Sequence, residues 1–360
     1  HLHPGALAWL GSEVSLEGEA DTGPDADALN NLDPAADAAN QDGDDDALDD
    51  APYLPHCEPT RFAFSLSTLA AQSATLYVNV WLDFNRDGDW NDTLACDGVS
   101  AVPEWAVQNL AVGVTGTGTL LLVTPPFLSW TPADVADHPL WLRITLAEQP
   151  WNPQGGIAPD GGSGPASGYQ YGETEDYLIT PSVVPLAIDF GDAPEVSGAA
   201  FHYPTLLGSN GAAHLIVEGA PYFGKDGDQP DADADGQPTP LADGDDYDTD
   251  GDDENGVYVP TLIPGQTGRF SVSIGGAAGH VTGWVDLDGN GVWEDDERLL
   301  DAFHPTGTSD WGIPIPADAK VGQTYARFRI STTRQGLPTG LAPDGEVEDH
   351  LVFIREAPEQ

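Results

Sequence analysis

VNVWLDFNRDGDWND (78–92) and VTGWVDLDGNGVWED (281–295) align without a gap, setting Trp81, Asp83, Asp87, Gly88, Trp90 and Asp92 on Trp284, Asp286, Asn290, Gly291, Trp293 and Asp295. Self-similarity at so long an offset means one structural unit written twice. Each stretch opens with alternating β-branched and aromatic residues and closes on Asp, Asn and Gly, which is a strand running into a turn.

Other landmarks repeat in the same order. Pro24-Asp25-Ala26-Asp27 matches Pro230-Asp231-Ala232-Asp233, Arg143 matches Arg329, IAPDG (157–161) matches LAPDG (341–345), and GETEDY (172–177) matches GEVEDH (345–350). The offset falls from 206 at the Pro-Asp landmark to 203 at the Trp-Asp loop, 186 at the arginine, 184 at the APDG turn and 173 at the last motif. The first copy therefore carries about 17 extra residues before Arg143 and about 11 after Asp160, lengths that surface loops absorb. The Pro-marked junction PSVVPLAIDFGDAP (181–194) separates two domains, 1–181 and 182–360.

Short runs rich in β-branched and aromatic residues predict strands at 75–84, 118–127, 139–146, 268–274, 280–287, 325–332 and 350–354. Helical periodicity is missing, and 42 Gly with 31 Pro would break most helices. The expected fold class is all-β: two tandem antiparallel β-sandwiches, of jelly-roll or immunoglobulin-like type, with long acidic calcium-binding loops.

Sixty Asp and Glu against eleven Lys and Arg give a formal charge of −49, so a compact chain repels itself unless cations neutralise it. Two lysines and nine scattered arginines cannot grip a phosphate backbone, which argues against nucleic acid. No apolar run reaches the roughly 20 residues of a membrane-spanning helix, so no membrane insertion is expected. A chain beginning at His1 with no Met fits a processed, exported product. Cys57 and Cys96, the only cysteines, are expected to form a disulfide in such a compartment; zinc with His56 is the other option, but these residues do not complete a tetrahedral set. Asn91-Asp92-Thr93 is the sole N-glycosylation sequon.

In the second copy Asp286, Asp288 and Asn290 offer oxygens at every second position, Gly291 permits the turn, and Glu297 stands at the twelfth place. That is the D-x-[DN]-x-[DN]-G pattern of a calcium loop, with the Val292 carbonyl and Glu297 or Asp295 completing the shell. A strand precedes it, so it is not an EF-hand. The first copy offers Asp83, Asn85, Asp87, Asp89 and Asp92, but Leu94 takes the twelfth place and Asp92 would have to close the site. A polar hairpin turn without metal is the alternative for both.

Two acidic tracts lie upstream. One holds Asp42, Asp44, Asp45, Asp46, Asp49 and Asp50; the other holds Asp231, Asp233, Asp235, Asp243, Asp245, Asp246, Asp250, Asp252, Asp253 and Glu254. Such blocks are solvated linkers unless cations bind them, and the cost of crowding carboxylates favours calcium as the expected ligand. Glu346, Glu348 and Asp349, with Glu173, Glu175 and Asp176, could bind metal or pair with arginines. Alternation sets Arg327 and Arg329 on one strand face and Glu346 and Glu348 on another, so a cross-strand ion ladder is favoured.

These features resemble the GEVED domain family. The resemblance rests on DFGDAP (189–194), GAAH (211–214), DADADGQP (231–238), GDDYDTDGDDENGV (244–257), WVDLDGNGVW (284–293), ARFRIS (326–331), PTG (338–340) and GEVED (345–349). The first copy is a diverged match: it keeps WLDFNRDGDW and GETEDY, lacks DFGDAP, and has Ala8 where the second has His214. The resemblance implies bacterial secreted or cell-surface β-sandwich modules, and no reaction.

The leading expectation is a calcium-stabilised structural subunit of a surface or extracellular filament, a homo-oligomer or homopolymer in which a sandwich lacking one strand is completed by a neighbour. A calcium-dependent adhesin or carbohydrate-binding module is the alternative, with glycans as partners and Trp105, Trp130, Trp151 and Trp311 as candidate stacking residues. An enzyme is not expected, because no nucleophile elbow, zinc helix or phosphate loop occurs.

Overall fold

The computed structural model describes residues 6–14, 45–96, 100–151, 172–195, 201–225, 229–244 and 255–357. The chain divides into two compact units, His1–Leu186 and Ala187–Gln360. Among the described residues the regular structure is strand, with short 3₁₀ turns and no α-helix, and the pairing is antiparallel apart from one parallel pair between named strands.

Unit 1 contains β1 (Ala8–Leu10), β2 (Pro59–Thr60), β3 (Ala63–Leu82), β4 (Thr93–Cys96), β5 (Ser100–Pro103), β6 (Trp105–Val123), β7 (Phe127–Leu128), β8 (Leu140–Ala147) and β9 (Glu173–Ile179). The backbone of the unit is one long hairpin, β3 against β6, whose register slips between Ala70 and Ala74. Before the slip β3 pairs β1; after it β3 pairs β8, which pairs β9. Side chains of β9 reach across to the β1 side: Leu10 N–H donates to Glu173, and Tyr177 Oη accepts from Ala47 N–H at 2.9 Å. The halves thus face each other over a core that includes Leu10, Phe64, Leu66, Val78, Val80, Leu142 and Ile144.

Unit 2 contains β10 (Ile188–Phe190), β11 (Ala212–Leu215), β12 (Tyr222–Phe223), β13 (Val257–Tyr258), β14 (Thr267–Gly275), β15 (Gly279–Val285), β16 (Arg298–His304), β17 (Gly307–Pro314), β18 (Gly322–Ser331), β19 (Gly340–Ala342) and β20 (Glu346–Ile354). One sheet joins β12, β13 and β17 to β14; the other runs β16-β15-β18-β20. Between them lies a core of Phe270, Val272, Val281, Phe328 and Ile330 among others. A third layer, β10-β11-β19, packs beside β20, and a separate aromatic cluster gathers Trp284, Trp293, Tyr203 and Tyr325.

The sandwich strand missing from the first copy turns out to be present. Gly11 N–H donates to Ser65 O and Gly224 N–H to Ser273 O, both at 3.0 Å, while Leu10 and Phe223 amides donate to Glu173 and Glu346. β1 therefore occupies in unit 1 the place of β12 in unit 2, so Ala8 is the equivalent of Pro221 and not of His214. DFGDAP belongs instead to the third layer. Among the described residues of unit 1 no strand stands in that layer's place.

The arginine alignment also shifts. Arg143 is the cross-strand partner of Trp81 and Asp176, as Arg327 is of Trp284 and Asp349. Arg143 thus matches Arg327 at an offset of 184, and Thr145 stands where Arg329 does. The two-residue error preserves strand alternation, which is why the sequence pattern could not detect it.

Candidate metal centres

In unit 2 the strand β15 delivers Asp286 into the loop. Its carboxylate is fully buried: Oδ1 accepts the amides of Gly289 and Asn290 at 2.6 and 3.2 Å, and Oδ2 accepts Gly291 N–H at 2.9 Å and Tyr203 Oη–H at 2.6 Å. The sharp turn uses positive φ at Gly289 (+64°) and Gly291 (+86°), the region glycine enters without steric cost. A 3₁₀ turn, Asp295–Glu297, brings back Glu297, whose Oε1 accepts Leu287 and Asp288 amides at 2.6 and 3.3 Å. Asp286, Asp288 and Glu297 each place one oxygen within 4.8 Å of the others. Burial pushes the Glu297 carboxyl up to about 8. Asn290 accepts Val292 N–H at 2.8 Å, Val292 is half-exposed, and exposed Asp295 lies 3.7 Å from Arg298.

Unit 1 repeats the loop backbone with different side chains. Arg86 (φ +60°) and Gly88 (+94°) take the two left-handed positions, and Asp83 accepts Asp87 N–H at 3.2 Å and Gly88 N–H at 3.3 Å, as Asp286 does. Burial pushes Asp83 up to about 6. Asp87, Asp89 and Asp92 gather their oxygens within 4.8 Å, and Asn85 Nδ2–H donates to Asp87 and Asp92 at 2.9 and 2.5 Å.

A buried glutamate that sequence reasoning missed, Glu104, approaches the first loop, although the oxygens gathered within 4.8 Å there are those of Asp87, Asp89 and Asp92. Glu104 is completely buried, and its carboxylate accepts Asn85 N–H at 3.5 Å and Asp92 N–H at 3.1 Å. The contact to Asn85 is the counterpart of Glu297 accepting Asp288 N–H. Burial raises Glu104 to about 8, with the Asp83 charge adding to the rise. The hairpin β4–β5, ten residues longer than the turn in unit 2, carries Glu104 back to the loop. Cys96 on β4 is bridged to Cys57, tying that hairpin to the segment before β2. The clue available in the sequence was the insertion itself, followed by a lone acid at the head of a strand.

The upstream acids have other work where they are described. Asp233 accepts Phe190 N–H and Gln237 Nε2–H at 3.3 and 2.8 Å, Asp235 accepts Leu207 N–H at 2.7 Å, and Asp243 accepts Thr239 Oγ1–H at 2.7 Å. Asp46 accepts Ser12 N–H at 2.8 Å; Asp45 and Asp231 are partly buried, and Asp49 and Asp50 are exposed. Asp42, Asp44, Asp245, Asp246, Asp250, Asp252, Asp253 and Glu254 lie outside the described residues. Asn91 is exposed, its N–H donating to Asp89 at 2.8 Å.

The repeated E-x-E-D motif forms no ladder of glutamates and arginines. Register sets Glu348 opposite Phe328 and Asp349 opposite Arg327, so the glutamates face the sandwich interior and only the aspartate shares the arginine face. Glu348 accepts Gly256 and Val257 amides at 2.7 and 2.8 Å, and Glu175 accepts Asp46 and Ala47 amides at 3.4 and 3.2 Å. Each glutamate staples one sheet to backbone on the other side. Asp349 takes Arg327 in a two-pronged pair at 2.6 and 2.7 Å and accepts the amides of Asp192 and Ala193 at 3.0 and 2.8 Å. Gly191 passes so close that an added Cβ would lie 2.4 Å from Asp349 Oδ2. Arg329, buried and held at about 9 by that burial, donates to His214 Nε2 at 2.9 Å and to four carbonyls.

The candidate stacking tryptophans are largely internal. Trp105 and Trp151 join Trp81 and Trp90 in one buried cluster, Trp105 stacking on Trp81 at 5.7 Å. Trp130 sits edge-on to His56 and Trp311 packs on His304, both half-buried.

A family model described as the GEVED domain matches residues 77–180 and 280–353. No curated protein matches the chain. Similar solved structures include a red sea bream transglutaminase (8% identity, TM-score 0.20, covering 86% of this chain and 31% of that one). Others are the Pseudomonas aeruginosa CupB2 chaperone (9%, 0.18, 84% and 98%) and trypsin-activated alpha-2-macroglobulin from Escherichia coli (10%, 0.20, 86% and 16%). At these scores the likenesses carry no structural or functional argument.

Proposed function

This chain carries two GEVED domains, the first diverged, and from that premise we propose that it is a calcium-stabilised, extracellular structural protein that assembles with copies of itself through strand edges. The observation that carries the calcium reading is the replacement of Glu297 by Glu104. Two loops of unlike sequence length bring a buried glutamate to one equivalent backbone amide, Asn85 N–H in unit 1 and Asp288 N–H in unit 2. A second buried acid beside Asp83 is costly in charged form, a cost that a cation held between the carboxylates would offset. Both donor sets are all oxygen, the chemistry hard divalent cations select. Asp286, Asp288 and Glu297 would hold the ion in unit 2, and Asp87, Asp89, Asp92 and Glu104 in unit 1. A bound cation also relieves the burial that keeps Glu104 and Glu297 protonated.

An oxidised Cys57–Cys96 pair supports an extracellular setting, and no helix among the described residues is long and apolar enough to cross a membrane. The burial of Trp105 and Trp151 removes two of the four residues on which glycan stacking would rest. Calcium titration by calorimetry tests the reading. Wild type should bind at both loops, and Glu104→Gln and Glu297→Gln should each weaken one site by about tenfold or more. Unchanged binding in both variants would overturn it.

A further inference from the structure

We propose that the outer edge of β6, over Thr117–Val123, is the seam along which a second copy of this chain pairs, β6 against β6, antiparallel about a two-fold axis. The inference rests on the self-assembly part of the reading above and is independent of calcium.

β6 pairs with β3 along one side and, among the described residues, with nothing along the other. From Thr117 to Val123 it matches Leu69 to Ala63 residue for residue, so its far side there presents a row of backbone donors and acceptors, Gly116 (φ +74°) marking the register slip where the run begins. Natural edges of this kind are blunted by charge, proline or shortness. This one has none of these over its length: residues 105–133 form the longest run in the chain without Asp, Glu, Lys or Arg, and no proline falls within β6. Thr115 through Thr119 are exposed, and a Cβ added at Gly116 or Gly118 would meet nothing within 4 Å.

Unit 2 shows what a guarded version looks like. There the corresponding strand is broken into β16 and β17, and Arg298, Asp301 and Asp310 stand along it. Charge also names the occupant. Two copies at −49 oppose each other's approach wherever carboxylates meet, and the uncharged β6 edge is where a copy can dock without juxtaposing them. An edge pairing with itself antiparallel is self-complementary, the condition for a two-fold contact.

Two variants of the full chain test the seam: Thr117→Asp with Thr119→Asp, and Thr117→Lys with Thr119→Lys. Like charges across the two-fold should weaken self-association of each by about tenfold or more in sedimentation velocity. Mixing the two should restore a complex of one Asp copy with one Lys copy, which a misfolded variant could not form. Circular dichroism of each variant should match wild type. A wild type that stays monomeric with and without calcium would overturn the seam, as would variants that associate like wild type or a mixture that fails to pair. Failure of the calcium reading would appear separately, as melting indifferent to chelator.

Discussion

Both units build one arginine–aspartate pair on the outer face of a sheet, and they bury it to different depths. Arg327 and Asp349 are completely inaccessible, while the Asp176 side chain opposite Arg143 keeps 28% exposure. The difference follows from DFGDAP. In unit 2 that segment lays Asp192 and Ala193 amides on Asp349 and passes Gly191 over the pair; in unit 1 the segment is absent, and tryptophans, among them Trp105 and Trp151, gather over that face. A motif can therefore persist while the structure that seals it is lost. The chemistry of the pair stays the same, and its energetic weight changes with solvent.

The sharpest way to break the comparison is to remove the cation from each pair. Arg327→Met leaves a buried carboxylate with amides but no counter-charge, and should cost about 3–5 kcal/mol of unit 2 stability. Arg143→Met leaves Asp176 able to find water, and should cost about 1–2 kcal/mol of unit 1. Denaturant unfolding followed by domain-resolved hydrogen exchange would read both, and equal losses would contradict the assigned role of DFGDAP.

A smaller effect should come from pH with calcium chelated. Folding raises Glu104 and Glu297 to about 8 and Glu175 to about 7, from an ordinary value of 4.5, burial being the first cause in each. Between those values the folded chain holds protons that the unfolded chain has released. Stability contributed by these groups is therefore present below about pH 4.5 and lost as pH rises through about 7 to 8. The melting temperature in chelator should fall by several degrees between about pH 6 and about pH 8.5. Saturating calcium should shrink that fall, because the ion favours the ionised carboxylates. Glu104→Gln and Glu297→Gln should flatten the dependence in unit 1 and unit 2 respectively.

Much of this comparison was legible in sequence. Alternating strands, the D-x-[DN]-x-[DN]-G loop and the E-x-E-D motif set the class, the repeat and one acidic cluster able to hold a metal ion, because each depends on local spacing. What escaped depends on register and on distant chain. Arg143 sits two residues from its first assignment because strand periodicity is blind to shifts of two. Glu346 and Glu348 face the interior because β20 alternates about Asp349, and only the pairing with β18 reveals which face holds the arginine. Glu104 lies 21 residues after Asp83, beyond any loop template, and reaches the site through a disulfide-tied hairpin. The β1 strand fills a slot that looked vacant because DFGDAP and the β12 segment Tyr222–Phe223 are separate pieces of unit 2, and only DFGDAP is missing from unit 1.

Calcium is proposed to close both loops, through Glu297 in one and Glu104 in the other. Differential scanning calorimetry of the full chain with calcium and with EGTA tests it most directly. Calcium at about 100 times its dissociation constant should add about 2.7 kcal/mol per site, raising the melting of both units, with the gain in unit 1 cut to about half or less by Glu104→Gln alone. Melting profiles that coincide in calcium and in EGTA would contradict it.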